Sequence, residues 1–160
     1  MQTLTIQSSP NQIRETLNWM SRFRDKYKAD PDWVALARQV CAQAGAVTRK
    51  DETEAVRMWV KAYITYRLDP EGVEYLQDPL LLMETRTGDC DDMACLAGVL
   101  LAAVGHVVYP SGVVWSGSRS PSHAVCVDDT AQMVCDPVSS VPAALWPDPP
   151  FSVARFVTGE

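Results

Sequence analysis

Apolar residues recur every three or four positions along the first two thirds of this chain, and β-branched runs follow only after Gly105. That pattern demands helices first and a sheet last. Ser9-Pro10-Asn11-Gln12 reads as a helix start, with Ser as N-cap, Pro at the first helical position and Gln three residues after the Ser. Ile13, Leu17, Met20 and Tyr27 carry the period onward. Asp30-Pro31 opens a second helix in the same way, with Val34, Ala37, Val40, Cys41 and Ala44 on one face and Gly45 as its stop. A third is predicted from Asp51, with Glu54 completing a capping box, through Val56, Trp59, Val60, Tyr63 and Ile64 to Asp69-Pro70. Residues 9–68 are therefore mostly helical.

The two Asp-Pro steps mark 69–87 as a loop with a short helix around Leu80-Leu81-Leu82-Met83, because a residue before Pro is biased away from the helical region. The loop leads into Thr87-Gly88-Asp89-Cys90-Asp91-Asp92. Asp89 is the predicted N-cap of a fourth helix, with Asp92 at its third position and Gly105 as its stop. Met93, Leu96, Ala97, Leu100, Leu101 and Val104 make that helix apolar enough to be central and buried. Four strand-like runs follow: Val107-Val108-Tyr109, Val113-Val114-Trp115, His123 to Val127 and Gln132 to Cys135. Gly117 to Pro121 is a loop before the histidine, Asp128-Asp129-Thr130-Ala131 a hairpin turn, and 141–160 a Pro-rich tail.

A chain of 160 residues fits a single domain spanning 1–160. Its 47% hydrophobic and 21% charged content is that of a soluble globular protein, and no stretch approaches the roughly 18 apolar residues of a membrane span. A formal charge of −6, with Arg and Lys scattered among acids, argues against nucleic acid as a partner. Met1-Gln2-Thr3-Leu4-Thr5 lacks a basic region followed by an apolar one. Five cysteines without a Cys-x-x-Cys pair fit reduced thiols, so the expected location is cytoplasmic.

Cys90, His123 and Asp136 follow one another in the order thiol, imidazole, carboxylate, the set a cysteine nucleophile needs. Cys90 sits in the first turn of its helix, where unsatisfied N–H groups and the positive end of the dipole favour a thiolate. Asp91 and Asp92 oppose this by repulsion, unless they point to solvent or compensate the dipole. If the hairpin turns symmetrically about Asp129 and Thr130, paired residue numbers add to 259, as those of His123 and Asp136 do. The two would then face each other directly across antiparallel strands, with Cβ atoms about 4.5–5.5 Å apart.

These residues resemble the transglutaminase-like cysteine enzymes, a branch of the papain-like fold. Gly88 to Ala94 looks like the nucleophile motif, His123-Ala124-Val125 like the histidine strand and Asp136-Pro137 like the carboxylate motif. With Asp69-Pro70 and Arg86, the resemblance covers about residues 56 to 138 and is closest to small prokaryotic and phage-associated members. It implies an α+β domain with N-terminal helices and the nucleophile on the N-terminus of a central helix packed on a small antiparallel β-sheet. Cys90 is by that resemblance the nucleophile, His123 the general base and acid, and Asp136 the residue that orients the imidazole. The implied chemistry is acyl transfer from a protein or peptide amide, as peptidase, deamidase or transglutaminase, without a cofactor. Cys135 stands just before the Asp-Pro step, in the stretch where many relatives carry a Trp.

The backbone N–H of Cys90 is the expected oxyanion donor, with Gln77 as a side-chain candidate. Trp115 and Trp146 are candidates for the wall of a substrate cleft, whereas Trp19, Trp33 and Trp59 read as core anchors. Cys41, Cys95 and Cys126 read as small buried hydrophobes, and His106 as a helix-end residue favouring the dipole. A zinc site built from Cys90, Asp92, His123 and Asp136 lacks the usual paired-ligand spacings, and the acidic cluster lacks the Gly and spaced oxygens of a calcium loop, so no metal is expected. The competing reading is a structural or assembly protein, for example of a phage particle, that keeps the fold with little activity.

Overall fold

Asp30 caps α2 (Pro31–Gln43), its carboxylate accepting the Asp32 N–H at 2.9 Å, and Gly45 ends the helix in the left-handed region at φ 66°. Both ends are where the sequence puts them. The computed structural model describes residues 3–6, 11–115, 119–140 and 142–143, and the backbone of 153–158. Helix α1 (Gln12–Tyr27) starts from Asn11, and Ser9-Pro10 lies outside the described residues. Helix α3 (Arg49–Tyr63) starts two residues before Asp51. Thr48 is its N-cap, and Asp51 is the third helical residue that closes the capping box, accepting the Thr48 N–H at 2.8 Å. Thr-x-x-Asp and Asp-x-x-Glu overlap here, and the Thr hydroxyl wins because it leaves Glu54 free to bind Arg57.

Helix α3 also stops earlier than expected. The chain turns extended at Ile64, and β2 (Thr65–Tyr66) pairs in parallel with β4 (Thr87–Gly88), the step that delivers Cys90. Between them β3 (Glu74–Gln77) pairs antiparallel with β1 (Thr3–Ile6), and α4 (Pro79–Thr85) is capped by Asp78. None of these short strands carries a local signal, since each is held by a partner distant in sequence.

Helix α5 (Cys90–Ala103) is the centre of the molecule. Of its residues only Cys90 and Ala102 are not buried, because α1, α2, α3 and α4 pack around it together with strands β5 and β6. A helix apolar on every side must be buried. The main sheet has the order β7-β6-β5-β8 and is antiparallel throughout. The two runs at 107–109 and 113–115 form one strand, β5 (Val108–Trp115), continuous through Pro110 and Gly112. Gly112 is required there: a Cβ would come within 2.9 Å of Pro121 Cβ. The stretch read as a Pro-rich tail contains a strand, β8 (Val153–Thr158), on the free edge of β5.

The hairpin of β6 (His123–Asp128) and β7 (Met133–Cys135) has a different register from that expected. Cys126 faces Cys135 and Asp128 faces Met133, so paired numbers add to 261. His123 and Asp136 are therefore diagonal rather than directly opposed. The turn is Asp129–Gln132, with Gln132 in the left-handed region at φ 55°, and Asp128 remains in the strand as an acceptor for the Ala131 N–H. A slip of two residues keeps every side chain on its face, and diagonal neighbours lie within reach of long side chains. No described helix is long and apolar enough to cross a membrane.

Candidate active site

The site forms where the mouth of α5 meets the start of β6 and the end of β7. Cys90 is the first residue of α5, half-buried, behind the N-cap Asp89. His123 opens β6, and its Nε2–H donates to Asp136 Oδ2 at 2.8 Å. The other ring nitrogen is left for Cys90, whose thiol lines the same cleft and lies near enough to the imidazole to raise its pKa. Burial by itself would lower the His123 pKa, but the bond to Asp136, the nearby Cys90 and the charges of both raise it to about 10. Asp136 is held in turn by its second oxygen, which accepts the N–H groups of Val138 (3.0 Å) and Ser139 (3.3 Å).

A cleft of about 650 Å³ opens over Cys90 and His123, with Tyr66, Leu68 and Pro121 on its walls and Asp69, Glu71, Glu74, Asp89 and Asp91 along it. Burial pushes the partly exposed Tyr66 hydroxyl up to about 12, with the charges of Cys90 and the nearby acids adding to the shift, so it remains a donor. The other four thiols are buried, and burial raises each of them.

Several expectations need correction. Gln77 does not face the cleft with a free amide: Nε2 donates to Thr87 O (2.8 Å) and Asp92 Oδ2 (3.0 Å), and Oε1 accepts from Thr85. Its carboxamide fastens the loop before α5. Trp115 lines a second groove that shares Ser122 and His123 with the cleft. It stacks against the His123 ring at 6.2 Å, and Asp136 and Ser139 border the same groove. Trp146 lies outside the described residues. Trp33 is buried in the core, while Trp19 and Trp59 are half-buried on helix faces, Trp59 stacked on Tyr63 at 4.6 Å.

Asp91 and Asp92 do not point to solvent. They are 3% and 1% exposed. Asp92 accepts the Gln77 N–H (2.8 Å), and burial brings its pKa to about 7. Asp91 accepts the Asp92 N–H at 2.7 Å through one oxygen, while Oδ2 is buried without a hydrogen-bond partner. Burial, with Asp89, Asp92 and Cys90 around it, pushes Asp91 well up. Burial also raises Glu74, which reaches Asp91. One carboxylate oxygen from each of Asp89, Asp91 and Asp92 lies within 4.8 Å of the other two. The zinc set is not assembled, since Asp92 is committed to Gln77 and Asp89 rather than to Cys90 and His123.

His106 does follow the end of α5, its backbone N–H donating to Leu101 O at 3.0 Å, but its side chain turns inward. It is buried, with Nδ1 at 2.7 Å from Asp128 Oδ2 and Nε2 at 2.8 Å from Glu52 Oε2. Asp128 therefore belongs to a second His–carboxylate cluster, apart from the cleft. No spacing in the sequence ties Glu52, His106 and Asp128 together.

An α-helical half, a central helix opening on Cys90, and an antiparallel sheet presenting His123 next to Asp136 give this chain a papain-like, transglutaminase-like fold. LapG of Legionella pneumophila superposes in its calcium-bound form with a TM-score of 0.56 at 17% identity, covering 88% of this chain and 83% of LapG. A candidate cysteine protease of Cytophaga hutchinsonii matches with a TM-score of 0.55 at 14% identity over 95% of this chain. A candidate protease of Parabacteroides distasonis matches with a TM-score of 0.56 at 11% identity over 81%. The chain spans 50% of the Cytophaga protein and 26% of the Parabacteroides protein. No family model matches the sequence, and no curated protein does.

Proposed function

We propose that this protein is a thiol-dependent acyl-transfer enzyme acting on protein or peptide amide bonds, most simply a cysteine peptidase. The observation that carries the reading is Cys90 and His123 together on an open cleft, with the His123 ring hydrogen-bonded to Asp136. Cys90 Sγ, its proton taken by His123, attacks the amide carbonyl carbon, and the backbone N–H of Cys90 receives the developing oxyanion. That N–H is one of those a helix leaves without an intrahelical partner. His123 then passes the proton to the leaving amine, and a thioester remains on Cys90. Water attacks the thioester, gives its proton to His123, and releases the acid with the thiol restored. An amine in place of water yields transamidation, and a glutamine carboxamide as substrate yields deamidation. Asp136 keeps the ring oriented and stabilises its charged form throughout. The intact series favours this reading over an assembly role.

The acidic cluster beside the nucleophile fits a hard cation of the kind LapG binds in its calcium-bound structure. Ca²⁺ takes six to eight oxygen ligands, and the cluster offers three buried carboxylates, of which Asp91 Oδ2 is without a partner. Asp89, Asp91 and Asp92 would hold the ion, with Glu74 beside them. It would supply positive charge that relieves their mutual repulsion and stiffens the mouth of α5. A cluster gathered from a helix mouth does not have the linear spacing of a calcium loop.

The test of the enzymatic reading is exposure of a complex peptide mixture to the protein and to Cys90→Ala. New N-termini, glutamine converted to glutamate, or Gln–amine adducts are expected only with the native protein and would separate peptidase, deamidase and transglutaminase. Identical mixtures after both treatments would count against the enzyme.

A further inference from the structure

Asp136 is the one member of the series outside a regular element, since β7 ends at Cys135 and the following residues run as a loop. A carboxylate that must aim at a ring nitrogen needs that loop fixed. Helix α3 provides three polar side chains on one stripe, at positions 54, 57 and 61, all turned toward it. Arg57 is 2% exposed, and its Nη1 donates to Ser139 O at 2.8 Å. Its Nε and Nη2 hold both carboxylate oxygens of Glu54, at 2.8 and 2.6 Å. Lys61 Nζ, one helical turn on, donates to Val138 O at 2.9 Å. Glu54 Oε2 also accepts the Ala143 N–H at 3.0 Å.

The carbonyls taken by α3 belong to the same two residues, Val138 and Ser139, whose N–H groups donate to Asp136 Oδ1. The loop is thus held from both sides: by Asp136 through its N–H groups and by α3 through its C=O groups. The Arg57 guanidinium also lies close enough to Asp136 to feel its charge. Only a planar fork satisfies Glu54 in bidentate fashion while a third nitrogen reaches a carbonyl, which accounts for Arg rather than Lys at 57.

We propose that Arg57 is a positioning residue of the active site, seconded by Lys61: through the 138–139 carbonyls it sets the aim of Asp136, and through Asp136 the orientation of the His123 ring. The inference rests on the reading of Cys90, His123 and Asp136 as a working series. It predicts that Arg57 acts only by way of Asp136.

The experiment is a double-mutant cycle read by the alkylation rate of Cys90 with iodoacetamide, each thiol followed by mass spectrometry. Arg57→Met slows Cys90 by roughly fivefold to tenfold, a coupling typical of residues in one network, and Arg57→Lys recovers part of the loss. In an Asp136→Ala background Arg57→Met adds no further slowing. Cys126 and Cys135 stay unlabelled in all these variants, whereas a general loosening of the fold would expose them. Because a buried Arg can be needed for folding, the half-buried Lys61→Met, with a smaller slowing, carries the same cycle if Arg57→Met does not fold. Cys90 labelling at the native rate in either folded variant, or equal slowing with and without Asp136, would overturn the proposal. Native Cys90 labelling no faster than in His123→Ala would instead overturn the series on which it rests.

Discussion

Among the described residues, one Asp136 oxygen accepts from His123 and the other from the loop that follows it. Asp136→Asn can keep the loop bonds through its carbonyl oxygen but carries no charge for the imidazolium. The expected outcome is a reaction at Cys90 slower by roughly a hundredfold or more with little change in Tm. Thermal melts and alkylation kinetics on the same preparation check it. The second histidine has another role. His106 faces Asp128 and Glu52 at its two nitrogens, with Thr53 Oγ1 donating to Asp128 at 2.6 Å and Arg49 pairing Glu52 at 2.9 Å. Neutral imidazole has one N–H, so both bonds are made only by imidazolium. Burial would lower the His106 pKa, but the two carboxylates raise it, so the fold binds that proton more tightly than the unfolded chain does. Its contribution is complete below the ordinary value of about 6.5 and is lost as pH rises through the raised one. His123 acts with the same sign up to about 10. Tm should therefore fall as pH climbs from about 6.5 toward 10. His106→Asn should flatten part of that slope, and parallel curves for the two proteins would refute the account of His106.

At the scale of elements, the mouth of α5 depends on a tight approach just before it. A Cβ on Gly88 would meet Asp92 Oδ2 at 2.5 Å and Leu82 Cδ1 at 2.9 Å. Gly88→Ala should destabilise the fold by about 1–3 kcal/mol in urea unfolding and slow Cys90 labelling, because it displaces the residue that closes the capping box. Helix α5 was legible because its cap, apolar run and stop all lie within one stretch of sequence. The hairpin was legible in face but not in register. Alternation tells which side chains share a side of β6 and β7, whereas the turn decides which residues are opposed, and a turn at 129–132 preserved the His–Asp contact through a diagonal. Strands β1, β2, β3 and β4 escaped because their pairing depends on contacts across long separations. Gln77 escaped for the same reason: residue type says what a side chain can do, not which neighbour takes its hydrogen bonds.

Taken as a whole, the molecule sets Cys90, the proposed nucleophile, among buried acids, and no local pattern showed that Asp91 and Asp92 would turn inward. Their burial couples the site to protons and, on the calcium reading proposed above, to cations. Burial holds Asp92 near 7, and protons compete with a cation for the same oxygens. Added Ca²⁺ should therefore raise Tm, more at about pH 8 than at about pH 5.5, and Asp91→Asn should reduce the gain. A Tm indifferent to Ca²⁺ and to chelator at both pH values would remove calcium from the account.

The central claim is that His123 makes Cys90 a nucleophile. It is tested most directly by the alkylation rate of each of the five thiols with iodoacetamide near neutral pH, in the native protein and in His123→Ala, with Cys90→Ala to identify the labelled site. The account predicts that Cys90 alone reacts rapidly, because burial holds Cys41, Cys95, Cys126 and Cys135 as thiols. It also predicts that His123→Ala slows Cys90 by roughly a hundredfold, the lower end of what a positioned base contributes. Cys90 reacting no faster than Cys41, or equally fast with and without His123, would contradict it.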